Sequence, residues 1–389
     1  MLMPLGLQPS FGFGDRLGLA TPGHISAVKG TRFFPIFAQQ SVRENLRTRR
    51  TPQQVMDCAR RAVEAAGWDS PWGADADHLK HLDELPAFVE AGYTFFTIDP
   101  SEHVDNAADQ DPIAVLEKKT ADFDWQDLEK RYLSGMEDRG YGVFTREGLL
   151  RAVTKYGRAL RHTESMYTRL SELKENFDFE VSVDETDTPT TPLEHYFIVN
   201  ELTRSGVKFT SLAPRFVGRF EKGVDYIGDL AVLESEMARH AAVSAQFGSY
   251  KLSLHSGSDK FSVYPLLARY WGDRLHVKTA GTSYLEALRT ISATAPDLFL
   301  KIWRLGLEHY DTDRASYHVS AEINKVAKVS DPSSLLEDFH AREILHVTFG
   351  TALANFEPEI KNTLENFSEE YNACLKKHFQ KHLSLLDRS

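Results

Sequence analysis

The chain has 389 residues, 42% hydrophobic and 26% charged, enough to bury a large core, and this composition excludes a disordered chain. A net charge of -11 with both signs interspersed leaves no basic stripe for nucleic acid, and no stretch approaches the length of a membrane span. Two cysteines, Cys58 and Cys374, far apart and outside any C-x-x-C spacing, argue against a disulfide framework, a thiolate zinc site or a redox motif, and an N-terminus without a basic start reads as cytoplasmic.

In chain order, short apolar runs that end in polar residues read as buried strands: Phe33–Gln40, Tyr93–Asp99, Phe177–Asp184, Val207–Leu212, Tyr250–His255 and Leu275–Lys278, with Gly73–His78 another strand running into a loop. Helix-period stretches lie between them, as at Thr51–Ala66 and Asp229–Phe247. Strand alternating with helix about eight times, with polar residues at the strand C-terminal ends, predicts a parallel α/β fold of the (β/α)8 TIM-barrel type. No phosphate-binding glycine fingerprint follows any strand, which weakens an open nucleotide-binding sheet. Residues 101–176 read as a helical insertion after the fourth strand, with a long helix from about Arg146 to Asn176 and a place over the site. Residues 285–389 read as a mostly helical C-terminal part packed on the same single barrel domain, with a peripheral helix at Glu357–Leu386.

Three strand ends offer chemistry. Asp77 and His78 set a proton acceptor beside a metal ligand, and His255, in Leu252–Gly257, sits at a comparable end. Their small or acidic neighbours favour a ligand role for both histidines, whereas His276, inside an apolar strand, reads first as a hydrogen-bonded structural residue. Glu180, Ser182 and Asp184 share one strand face by period-two alternation, and a polar row inside a barrel is costly unless it is paired or functional. Glu180 is therefore an acid/base candidate, while Asp99, Asp184 and Glu185 read as solvated rim or helix caps. Glu221, just past the sixth strand, completes a set of two histidines and one carboxylate for a divalent cation, with His276 the alternative third ligand; zinc, manganese, nickel and cobalt all suit such donors. Arg215, Lys222, Lys260 and Lys278 follow or sit within the later strands, and Arg215 and Lys278 are the substrate-binding candidates for an anion.

Several ordered stretches resemble the bacterial tagaturonate epimerase family: Phe11–Gly18, Pro35–Asn45, Gly73–His78, Thr97–Ser101, Phe177–Thr186, Glu221–Gly223, Leu254–Tyr264 and His276–Tyr284. The likeness spans nearly the whole chain. It implies a cytoplasmic, metal-dependent isomerase of hexuronate breakdown that interconverts tagaturonate and fructuronate. It also implies Asp77 as proton acceptor, Glu180 as proton donor, and His78 and His255 as metal ligands. A fainter likeness to class II metal-dependent aldolases pairs Asp77-His78 with Leu254–Gly257. It points to retro-aldol cleavage and re-addition, because the inverted carbon is β to the ketone and its hydrogen is not acidified. A metal-dependent ketose aldolase or sugar isomerase on the same barrel is the alternative enzyme, and a sugar-acid binding protein without turnover is the alternative of another class. The partner expected in either enzyme reading is a small molecule, with homo-oligomerisation a base-rate expectation for barrel enzymes.

Overall fold

The computed structural model of the chain describes residues 1–329 and 331–387. Eight parallel strands close into a barrel in sequence order: β1 (Ser10–Gly14), β2 (Phe34–Ser41), β3 (Gly73–Leu79), β4 (Phe95–Ile98), β5 (Asp178–Val183), β6 (Ser211–Pro214), β7 (Lys251–Leu254) and β8 (Leu275–Thr279), with β8 pairing back on β1. The expected TIM-type barrel is the observed fold. β6 starts later than the apolar run Val207–Leu212, because the amide of Val207 is still bonded to Leu202 O at the end of the helix Pro192–Arg204.

Alternation divides each strand between two layers. Phe179, Val181 and Val183 of β5 and Leu275 and Val277 of β8 are buried in the main hydrophobic cluster, while Glu180 and Lys278, of opposite parity, meet across the lumen. The bottom of the barrel is closed by a small apolar plug of Leu5, Ile36 and Phe95, and the N-terminal segment is tied on by Asp178, which accepts from the amide of Leu5 at 2.6 Å. Side chains therefore fill the lumen from below, and the polar layers lie toward the strand C-terminal ends.

Between β4 and β5 run the helices Ile113–Lys119, Trp125–Tyr132 and Arg146–Leu173, the last started by Thr145, whose side chain accepts from the amide of Gly148. After β8 follow the helices Thr282–Thr294, Pro296–Asp313, Phe339–Val347, Phe349–Asn366 and Ser368–Leu386. The expected peripheral helix at Glu357–Leu386 is thus two helices separated at Phe367. Tyr371, Leu375, Phe379 and Leu383 bury one stripe of the last helix against the barrel periphery. Among the described residues, no helix is long and apolar enough to cross a membrane.

Candidate active site

At the C-terminal mouth of the barrel, β3 departs from regular pleating. Its pairing with β4 shifts register between Ala76 and Leu79, and His78 takes a left-handed φ of 54°. That turn lets two consecutive side chains, Asp77 and His78, reach the mouth, and backbone held this way clusters at functional sites. The loop after β7 is shaped similarly, with Ser256 at φ 51°. The next residue has no room for a side chain: a Cβ on Gly257 would lie 2.8 Å from the carbonyl oxygen of Lys278 and 2.6 Å from Val277 Cγ1. Gly257 therefore seats the His255 loop directly on β8, where its amide bonds Lys278 O at 2.9 Å.

The two imidazoles face each other, ring centres 4.9 Å apart. Asp184 lies between them, its Oδ1 3.2 Å from His255 Nδ1 and 3.9 Å from His78 Nε2. The opposite nitrogen of each ring is held by an acid: His78 Nδ1 by Asp77 at 2.9 Å, and His255 Nε2 by Glu180 at 2.6 Å. A carboxylate on the far nitrogen fixes ring orientation and leaves the near nitrogen aimed at a ligand. Below this pair, Lys278 Nζ contacts Asp75 at 2.6 Å, Asp77 at 2.7 Å and Glu180 at 2.9 Å, and it also bonds Thr97.

Acids dominate the electrostatics. Burial opposes charge on His78, but Asp77, Glu185 and Asp184 raise its pKa to about 10; burial likewise opposes charge on His255, and Asp184 pushes it up. Burial alone would raise Asp77, Glu180 and Asp184, yet the facing cations hold all three below the usual carboxylate range: His78 and Lys278 for Asp77, Lys278 and His255 for Glu180, His255 for Asp184. Asp75, deeper in the lumen, is pushed up to about 7 by burial. Asp99 and Glu185 also lie beside His78, both within reach of Lys80, at 3.3 and 3.8 Å, so carboxylates surround the imidazoles. The donors fit a bound cation. His78, Asp184 and His255 offer three atoms within 4.8 Å of one another, and ligands held at about 2.1 Å from an ion are themselves roughly 3–4.2 Å apart.

Of the residues singled out in the sequence, Asp77, His78, Glu180 and His255 come together. Glu221 does not join them: its Oε2 accepts from the amide and hydroxyl of Ser320, both at 2.8 Å, so it anchors the C-terminal segment at the pocket wall. The carboxylate grouped with the imidazoles is Asp184 instead, delivered by the same parity as Glu180 and Ser182. His276 lies fully buried lower in the lumen on Ser10 Oγ at 2.9 Å, its pKa pushed down to about 3 by burial, which is the structural role read first. Lys278 is spent on three carboxylates rather than open to the cleft, whereas Arg215 does line the cleft.

That cleft, about 240 Å³, is lined by Asp184, Glu185 and His255 and by Arg43, Arg215 and Lys222, with Tyr317 and His318 from the C-terminal part. The cleft is lined from the loop after β6 and the C-terminal segment, while residues of 101–176 meet the end of β3, where Lys80 bonds Ser101 and His162. Sequence reasoning set aside Asp184 and Glu185 as rim, and it had no signal for Tyr317 or His318, which the fold brings from far along the chain.

A sequence model of the family described as tagaturonate epimerase matches residues 3–386. A curated relative, the tagaturonate/fructuronate epimerase of Thermotoga maritima, is 46% identical over 98% of this chain and 81% of its own length. A crystal structure of fructuronate-tagaturonate epimerase UxaE from Cohnella laeviribosi, complexed with glycerol, superposes with a TM-score of 0.95 at 40% identity, over 99% of this chain and 83% of that one. A structure named as a probable tagatose 6-phosphate kinase from Sinorhizobium meliloti, 11% identical with a TM-score of 0.52, shares the fold alone.

Proposed function

Because the chain belongs to the tagaturonate epimerase family and is an isomerase of that carbohydrate-epimerase kind, we propose that it interconverts tagaturonate and fructuronate at the mouth of the barrel. The observation that carries the assignment of the site is the facing imidazole pair with Asp184 between it and an acid behind each ring. His78, His255 and Asp184 are the residues that would hold a divalent cation. When bound, such an ion supplies Lewis-acid stabilisation of charge on the ketone oxygen. The two free cysteines suit a reducing cytoplasm.

The inverted carbinol carbon is β to the ketone, so we read the reaction as retro-aldol cleavage and re-addition. Asp77 contacts His78 and Lys278 through the same oxygen, Oδ1, which leaves Oδ2 to take the proton of the hydroxyl on that carbon. The hydroxyl oxygen becomes an aldehyde as the carbon–carbon bond breaks, and the bond's electron pair moves onto the ketone fragment as an enediolate. The aldehyde turns, the enediolate attacks its other face, and the new alkoxide takes its proton from Glu180. The proton that Asp77 took passes by way of Lys278, which contacts both groups, and restores Glu180, so no net proton is gained or lost. Glu180, wholly buried between Lys278, Ser211 and His255, also holds the His255 ring in place.

An NMR time course on purified protein with tagaturonate, after chelation and again with Mn, Ni or Zn restored, tests the reading. Fructuronate should appear only with metal restored, and its absence under every metal would remove the assignment. Run in heavy water, the retro-aldol route leaves no deuterium at the inverted carbon, whereas direct proton exchange there labels it.

A further inference from the structure

Four cations stood out in the sequence as ways to hold an anion, and the structure separates them. Lys278 is neutralised by Asp75, Asp77 and Glu180. Lys260 is fully buried and spends its ammonium on the carbonyl oxygens of Glu221, Val224 and Ser258, at 2.7, 2.5 and 2.8 Å, so it clamps the loop after β6 to the loop after β7. Arg215 lines the cleft, and among the described residues no carboxylate lies within 4.0 Å of it. Lys222 differs from the two spent lysines and, unlike Arg215, is tied to the loop that carries His255. It is a partly buried ammonium in the wall of the cleft, its pKa lowered by burial and by Arg43, and among the described residues no carboxylate lies within 4.0 Å of it. Its hydrogen bond is to a neutral group, Ser256 Oγ at 2.7 Å, on the residue that follows His255.

A desolvated cation without a partner is costly and is retained where a ligand completes it. His255 and Asp184 line the same cleft, with His78 grouped beside them, so an anion on Lys222 is placed next to the reacting end of a ligand rather than remote from it. We propose that Lys222, mounted on Ser256, binds the terminal carboxylate of the hexuronate and is the residue that makes this site select sugar acids over neutral ketoses. The inference rests on the epimerase reading above and adds its specificity determinant. It also has a mechanistic consequence: in a retro-aldol step the carboxylate travels with the aldehyde fragment, so Lys222 is the fixed point about which that fragment turns. Ser256 holds the ammonium from the loop that carries His255, which couples carboxylate binding to the position of that ring.

The test uses Lys222→Met and Lys222→Arg in the metal-loaded full chain, with tagaturonate kinetics and with competitive inhibition by gluconate and glucitol, two polyols alike except for the carboxylate. The wild type should bind gluconate better than glucitol. Lys222→Met should erase that preference and raise KM for tagaturonate roughly 30-fold, the loss expected of one charge-assisted bond, with kcat falling less. Lys222→Arg should recover part of the preference and guards against a variant that fails to fold. An unchanged gluconate preference in folded Lys222→Met overturns the proposal. A wild type that separates gluconate from glucitol but never converts tagaturonate overturns the epimerase reading instead, and leaves the carboxylate site standing.

Discussion

His255 and Asp259 lie four residues apart on one loop, and each ends in a cluster of imidazole and carboxylate, yet the two clusters are in opposite states. Around His255, the far nitrogen is held by Glu180 while the near nitrogen shares Asp184 with His78 across a cleft. Around Asp259, the groups pair with one another inside the protein. Its Oδ1 is 2.6 Å from His378 Nε2, its Oδ2 pairs with Arg342 at 3.1 Å, and its amide donates to His382 Nε2 at 3.0 Å, while His382 Nδ1 bonds the carbonyl of His378 at 3.0 Å. Burial keeps His382 neutral, its pKa down at about 3, so one ring nitrogen donates, the other accepts, and neither is left over. Residue composition does not distinguish the clusters; unspent donor atoms do. The first is the cluster that the proposed function uses, and the second is a latch that pins the last helix to the loop carrying His255.

The largest effect that separates them is on turnover. His255→Ala or His78→Ala should lower kcat/KM by at least roughly a thousandfold, about 4 kcal/mol of transition-state stabilisation, and abolish retention of metal in plasma mass spectrometry. Thermal unfolding should move little, by no more than roughly 3 °C. Asp259→Ala should do the reverse, costing about 3–5 kcal/mol of stability by stranding Arg342 and His378, while the folded fraction still retains metal. Loss of metal from folded Asp259→Ala, or an unaltered urea midpoint, would break the distinction.

A smaller effect sharpens the roles inside the open cluster. Glu180→Gln keeps the shape of the side chain that supports His255 but removes a carboxylate that can carry a proton, so kcat should fall about 100-fold with metal retained. If this variant sheds metal as readily as His255→Ala, Glu180 is a support for the ring and has no proton-transfer role.

Much of the barrel and of the His255 cluster was legible in the sequence, whereas the Asp259 cluster was not, and the gaps have physical reasons. β2 and β4 stand out by apolar composition and β5 by its alternation, whereas β1, Ser-Phe-Gly-Phe-Gly, has two glycines and no β-branched residue and is recognisable as a strand only from its pairing with β2 and β8. Asp184 was within reach, since alternation from Glu180 and Ser182 predicts its direction, but proximity to a loop made the solvated rim the simpler account. Glu221 was singled out because a loop glutamate beside a family motif looks like a ligand, and its contact with Ser320, ninety-nine residues on, had no signal in the sequence. Lys222 and Lys260 are indistinguishable as letters, because burial and partner supply come from the loops that close over them.

The finest test concerns charge in the latch. Burial disfavours a charged His378, but Asp259 and Glu286 outweigh it and raise its pKa. A histidine with a raised folded pKa contributes its full stabilisation below the unfolded value of about 6.5 and loses it as pH climbs through the folded pKa. Burial would also raise Asp259, yet Arg342 and His378 hold it low, so its contribution is complete above about 3.9 and fades only as the medium becomes strongly acidic. The alkaline side of neutrality is therefore where the latch loosens through His378. Urea unfolding of wild type and His378→Gln should differ by about 1 kcal/mol at pH 6 and converge as pH rises toward 9. A difference that stays constant across that range would mean His378 acts as a neutral hydrogen-bonding group. The latch would then hold through Arg342 and His382 alone, and the two clusters would differ in charge as well as in saturation.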